Sequence, residues 1–262
     1  MKVLITGSNG FIAKNIKHLL DNSYSVDSIS RQDFDLLDTN KVNEFFSDKF
    51  YDVIIHTAII GGSRLTTDSP SIVHDNIKML YNILGNSKHY KRLINLGSGA
   101  ELSYPKTPYG MSKSVISKVI DSLDNHFNLR IFAVFNENEL ETRFIKSNII
   151  KYLNKDDIVI HKNKFMDFFS FNDFIKVVKM YMEVESHYLN KTFDCCYSKK
   201  YTLFSVFGIE AEYMIVDKDT LKVNPIADKV IQELNGGEIC NEVDLGIVSC
   251  SNELVNHVLE IK

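Results

Sequence analysis

The sequence predicts an α/β fold, a doubly wound parallel sheet followed by a small, incomplete C-terminal lobe. Three observations carry this: short Val- and Ile-rich runs alternate with helical patterns, the alternation has the spacing of βαβ units, and 262 residues suffice for one sizeable domain plus a smaller lobe. Helices then cover both faces of the sheet. Strands are predicted at residues 2–6, 25–29, 53–57, 92–96 and 129–135, and helices at 11–22, 39–46, 70–86 and 108–125. The third helix opens with Pro70 after Ser69, a first-turn and N-cap signal. No repeat, low-complexity tract or Pro/Gly/Ser-rich linker interrupts the chain.

Composition removes several classes of function. The net charge of −4, with 44% hydrophobic and 24% charged residues, supplies no bulk attraction for nucleic acid or an anionic membrane. Cys195, Cys196, Cys240 and Cys250 lack CxxC spacing, which argues against a disulfide framework or a metal site and for a reducing compartment, the cytoplasm by default. The start, Met1-Lys2-Val3-Leu4-Ile5-Thr6-Gly7, is broken too early for a signal peptide, and no apolar run is long enough for a membrane helix.

Directly after the first strand comes Gly7-Ser8-Asn9-Gly10-Phe11-Ile12-Ala13, a GxxGxxA turn opening an amphipathic helix, as in Rossmann-like folds. Gly7 permits the tight turn, Gly10 lets backbone N–H groups near a pyrophosphate, and Ala13 lets the helix pack closely on the strand. The helix N-terminus adds partial positive charge. Asn9, Phe11 and Ile12 complete the predicted phosphate cradle. After the second strand, Ser30-Arg31 stands where an acid would accept a ribose hydroxyl, and these residues suit a 2′-phosphate instead. NADP is therefore expected, with NAD as the alternative. In Asp35-Leu36-Leu37-Asp38, Asp35 is placed at the adenine amino group.

Tyr109-Gly-Met-Ser-Lys113 puts a phenol and an ammonium on one helix face. A phenol of pKa about 10 is a poor acid–base group near neutrality, and a nearby cation is expected to lower it. Ser98 follows Gly97 at the carboxyl edge of the sheet, where doubly wound folds bind ligands. His56, inside a central strand, reads as a hydrogen-bonded core histidine, and His161 as a residue of a charged turn without a role.

This set resembles the extended short-chain dehydrogenase/reductase family, within it the nucleotide-sugar 4-keto reductases of the GDP-L-fucose synthase type. The resemblance covers about residues 1–200 and also includes Asp35–Asp38, the stretch 53–62 and Asn76. It implies that Leu36, Thr57, Ala58 and Asn76 belong to the cofactor site, and that Ala133, Val134 and Phe135 back the nicotinamide. It implies Ser98, Tyr109 and Lys113 as the catalytic set, Lys113 also holding the nicotinamide ribose, with Arg143 at the mouth of the substrate cleft. Homodimerisation through helices 70–86 and 108–125 is implied too.

Two departures narrow the chemistry. Relatives that epimerise before reducing carry a Cys where this chain has Ala100, and 4,6-dehydratases carry an Asp-Glu pair where it has Gly99-Ala100. Plain carbonyl reduction, or the reverse oxidation, remains, and the resemblance implies a nucleotide-linked 4-keto-6-deoxy sugar as the substrate, with Tyr109 protonating the developing alkoxide and Ser98 hydrogen-bonding to it. An epimerase that recycles its cofactor, or a non-catalytic dinucleotide sensor, is the alternative; a sensor needs neither Tyr109 nor Lys113. Glu101 lies one position late and receives no role. A family arginine that grips the nucleotide diphosphate is replaced by Met166, with Lys162, Lys164 or Arg143 as substitutes.

The expected organisation is a dinucleotide domain over 1–135, a partial substrate lobe over 136–201 and an atypical tail over 202–262. The tail reads as a strand at 207–217, a helix at 225–234, a strand at 238–246 and a short helix from Ser251. It resembles the first segment of the glutamate–cysteine ligase type 2 family, whose carboxylates on adjacent strands bind Mg²⁺. Glu210, Glu212, Glu242 and Asp244 are the matching acids, and paired acids on a strand are more often its solvated face than a metal site.

Overall fold

A computed structural model describes residues 1–63, 66–160, 162–203, 211–214, 227–238, 240, 242–244, 249–252 and 258–261. His161 and Glu210 lie outside them. Two compact units divide the chain: Met1–Ile158 with Asp167–Ser198, and Val159–Met166 with Lys199–Lys262.

The first unit holds β1 (Lys2–Thr6), α1 (Phe11–Leu20), β2 (Ser25–Ile29), α2 (Thr39–Phe46), β3 (Tyr51–His56), α3 (Ser71–Leu84), β4 (Tyr90–Ser98) and the single-turn α4 (Ala100–Ser103). It continues with α5 (Pro108–Asp121), β5 (His126–Ile131), β6 (Val134–Phe135) and α6 (Phe144–Asn154). After the excursion into the second unit, where β7 lies at Phe165–Met166, come β8 (Phe169–Ser170), α7 (Phe171–Glu183) and β9 (Thr192–Cys195).

Six strands form one parallel sheet in the order β2-β1-β3-β4-β5-β9. Successive strand residues face opposite sides, which builds two cores. Val3, Ile5, Val53, Ile55, Ile94, Leu96 and Leu129 meet Ala13, Ile16 and Leu20 of α1 and Phe174 and Val178 of α7. Leu4, Ile54 and Leu93 meet Val42 and Phe46 of α2, Met79, Leu80 and Ile83 of α3, and Ile116 and Ile120 of α5. Each such side chain contributes about 1.5–3 kcal/mol by leaving water. Asp38 caps α2 by accepting from the N–H groups of Asn40 and Lys41, and Thr107 caps α5 by accepting from Gly110, with Pro108 in the first turn.

The parallel sheet covered on both faces is as expected, and three details differ. The strand expected over 129–135 breaks after Ile131, and β6 pairs instead with β8 in a separate two-stranded sheet. The sixth strand, β9, is not among the expected strands, because the four residues Thr192–Cys195 alternate over too short a run to announce it. Pro70 sits at the N-cap position of α3, where Ser71 N–H reaches the Ser69 hydroxyl at 3.4 Å.

In the second unit, β7 pairs antiparallel with β10 (Tyr201–Thr202). A four-stranded antiparallel sheet runs in the order β11-β14-β13-β12, from β11 (Ala211–Met214), β12 (Glu242–Asp244), β13 (Ser249–Asn252) and β14 (Val258–Ile261). Helix α8 (Ala227–Leu234) packs on β12 and β13 and ends where Gly237 N–H bonds the Gln232 carbonyl, with Gly236 at φ 68°. Ser251 and Asn252, expected to open a short helix, pair with Glu260 and Leu259 as strand, cross-strand pairing prevailing over a local capping signal, and the rest of that expected helix, from Glu253, lies outside the described residues. The acid-bearing strands β11 and β12 occupy opposite edges, not the adjacent positions that the ligase resemblance implies. Among the described residues, no helix is long and apolar enough to cross a membrane.

Candidate active site

Strand order reverses at β1, between β2 and β3, which opens a crevice at the carboxyl ends of β1 and β3. The turn after β1 stands there. Gly7 adopts φ +71°, and a Cβ on it would lie 2.7 Å from the Cα of Ala58. Gly10 N–H closes the turn on the Gly7 carbonyl at 2.9 Å, and Lys14 N–H on the Gly10 carbonyl at 3.0 Å starts α1. Thr6 binds the two strand ends together: its hydroxyl oxygen accepts from Thr57 N–H (3.2 Å) and Ala58 N–H (3.3 Å), while the Thr57 hydroxyl donates to the Thr6 carbonyl (2.6 Å).

With its oxygen so occupied, the Thr6 hydroxyl donates its proton to His56 Nδ1 at 2.8 Å. Burial, with the Lys113 charge, holds His56 neutral and pushes its pKa down to about 3. Asn9 and Gly10 are exposed at the mouth of the turn, Phe11 and Ile12 are half-buried, and Ala13 is buried against the sheet. A pocket of about 670 Å³ flanks the turn, lined by Asn9, Gly10, Phe11, Lys14, Asn138 and Leu140 among others. A glycine turn at a helix N-terminus, with no room for a Cβ at Gly7, fits the pyrophosphate of a dinucleotide.

At the adenosine end the arrangement differs from expectation. The Ser30 hydroxyl donates to Asp33 Oδ2 (3.0 Å) and accepts from Gln32 N–H (3.2 Å), so it is committed within its own turn. Ser30 N–H also donates to Asp33 at 2.8 Å, and these bonds hold the Asp33 carboxyl below its usual range. A carboxylate therefore stands beside the exposed Arg31, where only cationic and hydroxyl groups were anticipated. Asp35 accepts from Leu37 N–H at 3.0 Å, and Leu36 is buried in the core under α2.

Ser98 ends β4, and α5 carries Tyr109 and Lys113 one turn apart. Ser98 stands close enough to the Tyr109 phenol to lower its pKa, and the Ser98 hydroxyl accepts from Ala100 N–H at 3.2 Å. The expected depression of the phenol by Lys113 is not what this geometry produces. Burial pushes Tyr109 up, Ser98 pulls it down, and the charges of Glu101 and Asp68 push it up again. Lys113 lies 5.9 Å from the ring centre with its ammonium bound to the Leu96 carbonyl. Burial lowers the Lys113 pKa to about 8.

Asn76 is buried and fully engaged within the protein, accepting from Ile60 N–H (2.8 Å) and donating to the Ile60 carbonyl (3.0 Å) and the Ser112 hydroxyl (3.1 Å). It holds the loop after β3 against α5 rather than offering an amide to the cofactor. Arg143, at the N-cap of α6, donates to the Val134 carbonyl (3.3 Å) and lies 3.6 Å from the buried Glu139 carboxylate. Two features went unread in the sequence. Gly62 packs on the Tyr109 ring, with Asp68 accepting its N–H at 3.1 Å, and Glu101 turns back under Ser98. The Gly61-Gly62 pair was the available signal for the first; nothing local announced the second.

Fold and site together define a doubly wound α/β protein whose first turn fits a dinucleotide, with Ser98 at the end of β4 and Tyr109 and Lys113 on α5. The profile of the NAD dependent epimerase/dehydratase family matches residues 3–195, and the chain belongs to that family. It is similar to a GDP-L-colitose synthase of Yersinia pseudotuberculosis, 27% identical over 163 residues. That match takes in 60% of this chain and 49% of the relative, so the chain aligns to about half the length of the curated protein. Two solved structures share the fold. The Bordetella bronchiseptica enzyme WbmG, solved with NAD and UDP, has a TM-score of 0.67 at 16% identity, over 79% of this chain and 76% of that one. The GDP-mannoheptose C4 reductase MlghC of Campylobacter jejuni, with NADP bound, has a TM-score of 0.64 at 16% identity, over 78% and 81%.

Proposed function

We propose that this chain is an NAD(P)-dependent oxidoreductase that reduces the ketone of a nucleotide-linked 4-keto-6-deoxy sugar. The observation that carries the reading is that Ser98, Tyr109 and Lys113 gather at the carboxyl edge of a sheet whose first turn fits a dinucleotide, with the buried Lys113 ammonium 5.9 Å from the Tyr109 ring. The nicotinamide, when bound, supplies the hydride. Tyr109 Oη delivers the proton to the oxygen that gains charge, and its raised pKa keeps that proton in place at neutral pH. The Ser98 hydroxyl hydrogen-bonds to the same oxygen, and Lys113 places a cation near it. Arg143, its guanidinium against the end of β6, is assigned to the substrate. The GDP- and UDP-containing names and contents of the relatives support a nucleotide-linked substrate.

NADP remains the expected cofactor through Arg31, while the Asp33 carboxylate favours NAD and, with it, an epimerase that returns its hydride. Net oxidation of the reduced nicotinamide, followed by absorbance with a panel of 4-keto nucleotide sugars, separates the two. Reduction consumes the cofactor; epimerisation interconverts the sugars without doing so. Tyr109→Phe is expected to abolish turnover while binding the cofactor as wild type does, and near wild-type turnover in that variant would sink the assignment. The assembly we propose is a homodimer through α3 and α5, which pack together and expose Tyr81 and Met111; sedimentation gives its mass.

A further inference from the structure

Beneath Ser98 lies a buried ion pair that the proposed chemistry does not use. Gly99 caps the single turn α4, and Glu101 on that turn folds its side chain back toward the sheet. Its Oε1 accepts from Ser98 N–H at 2.9 Å, and its Oε2 accepts from Arg130 Nε at 3.0 Å. The Glu101 side chain is only 3% exposed and that of Arg130 15%. Arg130 continues to Asp194 at 2.6 Å, so β4, α4, β5 and β9 are joined through Glu101, Arg130 and Asp194. Asn128 adds a long bond to Glu101 at 3.3 Å. The space the carboxylate fills exists because residue 97 is glycine: a Cβ there would lie 2.5 Å from Glu101 Oε1.

A carboxylate withdrawn from water at this depth is expensive unless it is paired, and a neutral side chain would pack at lower cost. Its position accounts for its presence. We propose that Glu101 is a positioning residue of the reaction: through Ser98 N–H and Arg130 it fixes the strand end that carries the Ser98 hydroxyl, and it places negative charge near Tyr109 and Lys113. This rests on the Ser98, Tyr109 and Lys113 reading above. Among the described residues, the charged and titratable groups around the phenol are Asp68 in the loop after β3, Lys113 on α5 and Glu101 on α4, with neutral His56 on β3 near Lys113 and Arg130 on β5 behind Glu101. Of these, Glu101 acts on both partners, raising Tyr109 and opposing the burial that lowers Lys113.

Glu101→Gln keeps an oxygen for Ser98 N–H and removes the charge. The Tyr109 phenol, read as the ultraviolet titration difference between each background and the same protein with Tyr109→Phe, is expected to ionise at a pH lower by roughly half a unit or more in Glu101→Gln. The alkaline limb of kcat/KM for ketone reduction should move down with it, since the proton donor is lost earlier. Glu101→Asp keeps the charge but falls a methylene short of Ser98 N–H; its limb should stay in place while kcat drops severalfold. If Glu101→Gln does not fold beside an unpaired guanidinium, Glu101→Gln with Arg130→Gln is measured instead, with a smaller downward shift expected, because the lost positive charge of Arg130, which stands behind Glu101, offsets only part of the lost negative charge. A lower melting temperature with an unmoved phenol titration and pH profile would overturn the proposal. The titration needs no substrate, so a moved phenol in a wild type inert toward every 4-keto sugar would count against the proposed function and not against Glu101.

Discussion

Gly62 packs directly against the ring of Tyr109, so closely that a Cβ on it would stand 2.7 Å from the ring edge, on a backbone at φ +78°. Both oxygens of Asp68 hold its N–H at 3.1 Å, which keeps that backbone in place. Gly62→Ala must displace the ring or strain the loop. A loss of about 1–3 kcal/mol is expected in urea unfolding, and a drop in kcat of at least about tenfold with little change in cofactor affinity. Unchanged kcat would show that the ring position is not held from this side.

The turn after β1 offers no such escape. A Cβ on Gly7 meets the backbone of Ala58 at 2.7 Å, with φ at +71° adding strain. Gly7→Ala is expected to lose more than about 2 kcal/mol of stability and to weaken binding of the reduced dinucleotide at least tenfold, read by its fluorescence. Binding at wild-type affinity would remove the pyrophosphate from this turn.

Lys113 is held with a pKa of about 8 against 10.5 in an unfolded chain. Between those values the unfolded chain binds the proton and the native protein does not, so this group makes stability rise with pH across the window, by about 3 kcal/mol in all. Comparison with Lys113→Met cancels every other titrating group. The stability of that variant relative to wild type should fall by about 3 kcal/mol between pH 7 and 10.5, measured by denaturant titration; a constant difference would mean that the ammonium is not desolvated.

His56 acts with the same sign in a more acidic window. Its pKa of about 3 against 6.5 unfolded means that, as pH falls below 6.5, the unfolded chain takes up a proton that the native site refuses. Stability is lost by roughly 1.4 kcal/mol per pH unit from this residue alone. His56→Gln should flatten the acid side of the stability profile between pH 6 and 4.5 by that slope. An unaltered profile would place the imidazole in contact with water.

Much of this site is readable along the chain because its parts are local. The Gly7–Ala13 turn, the cap and proline of α5, and the one-turn spacing of Tyr109 and Lys113 are each set within a few residues, and local patterns report them. The expected depression of Tyr109 failed because the direction of a pKa shift depends on burial and on charges from other elements, here Asp68 and Glu101. Ser30 was assigned to a cofactor phosphate because nothing in the sequence shows that its hydroxyl turns to Asp33. Asn76 was assigned to the cofactor, yet its amide closes on Ile60 and Ser112, a partner set assembled by tertiary packing.

What the sequence alone determined was the class of fold and the inventory of chemistry: apolar periodicity dictates a parallel sheet covered on two faces, and glycine spacing dictates the turn. Tertiary structure decided which groups meet. It added β9 as a sixth strand, set Gly62 on the Tyr109 ring, and carried the Glu101 carboxylate back beneath Ser98 to Arg130. Those outcomes depend on distances between residues far apart in the chain, on burial and on the field of charges, none of which a local pattern encodes.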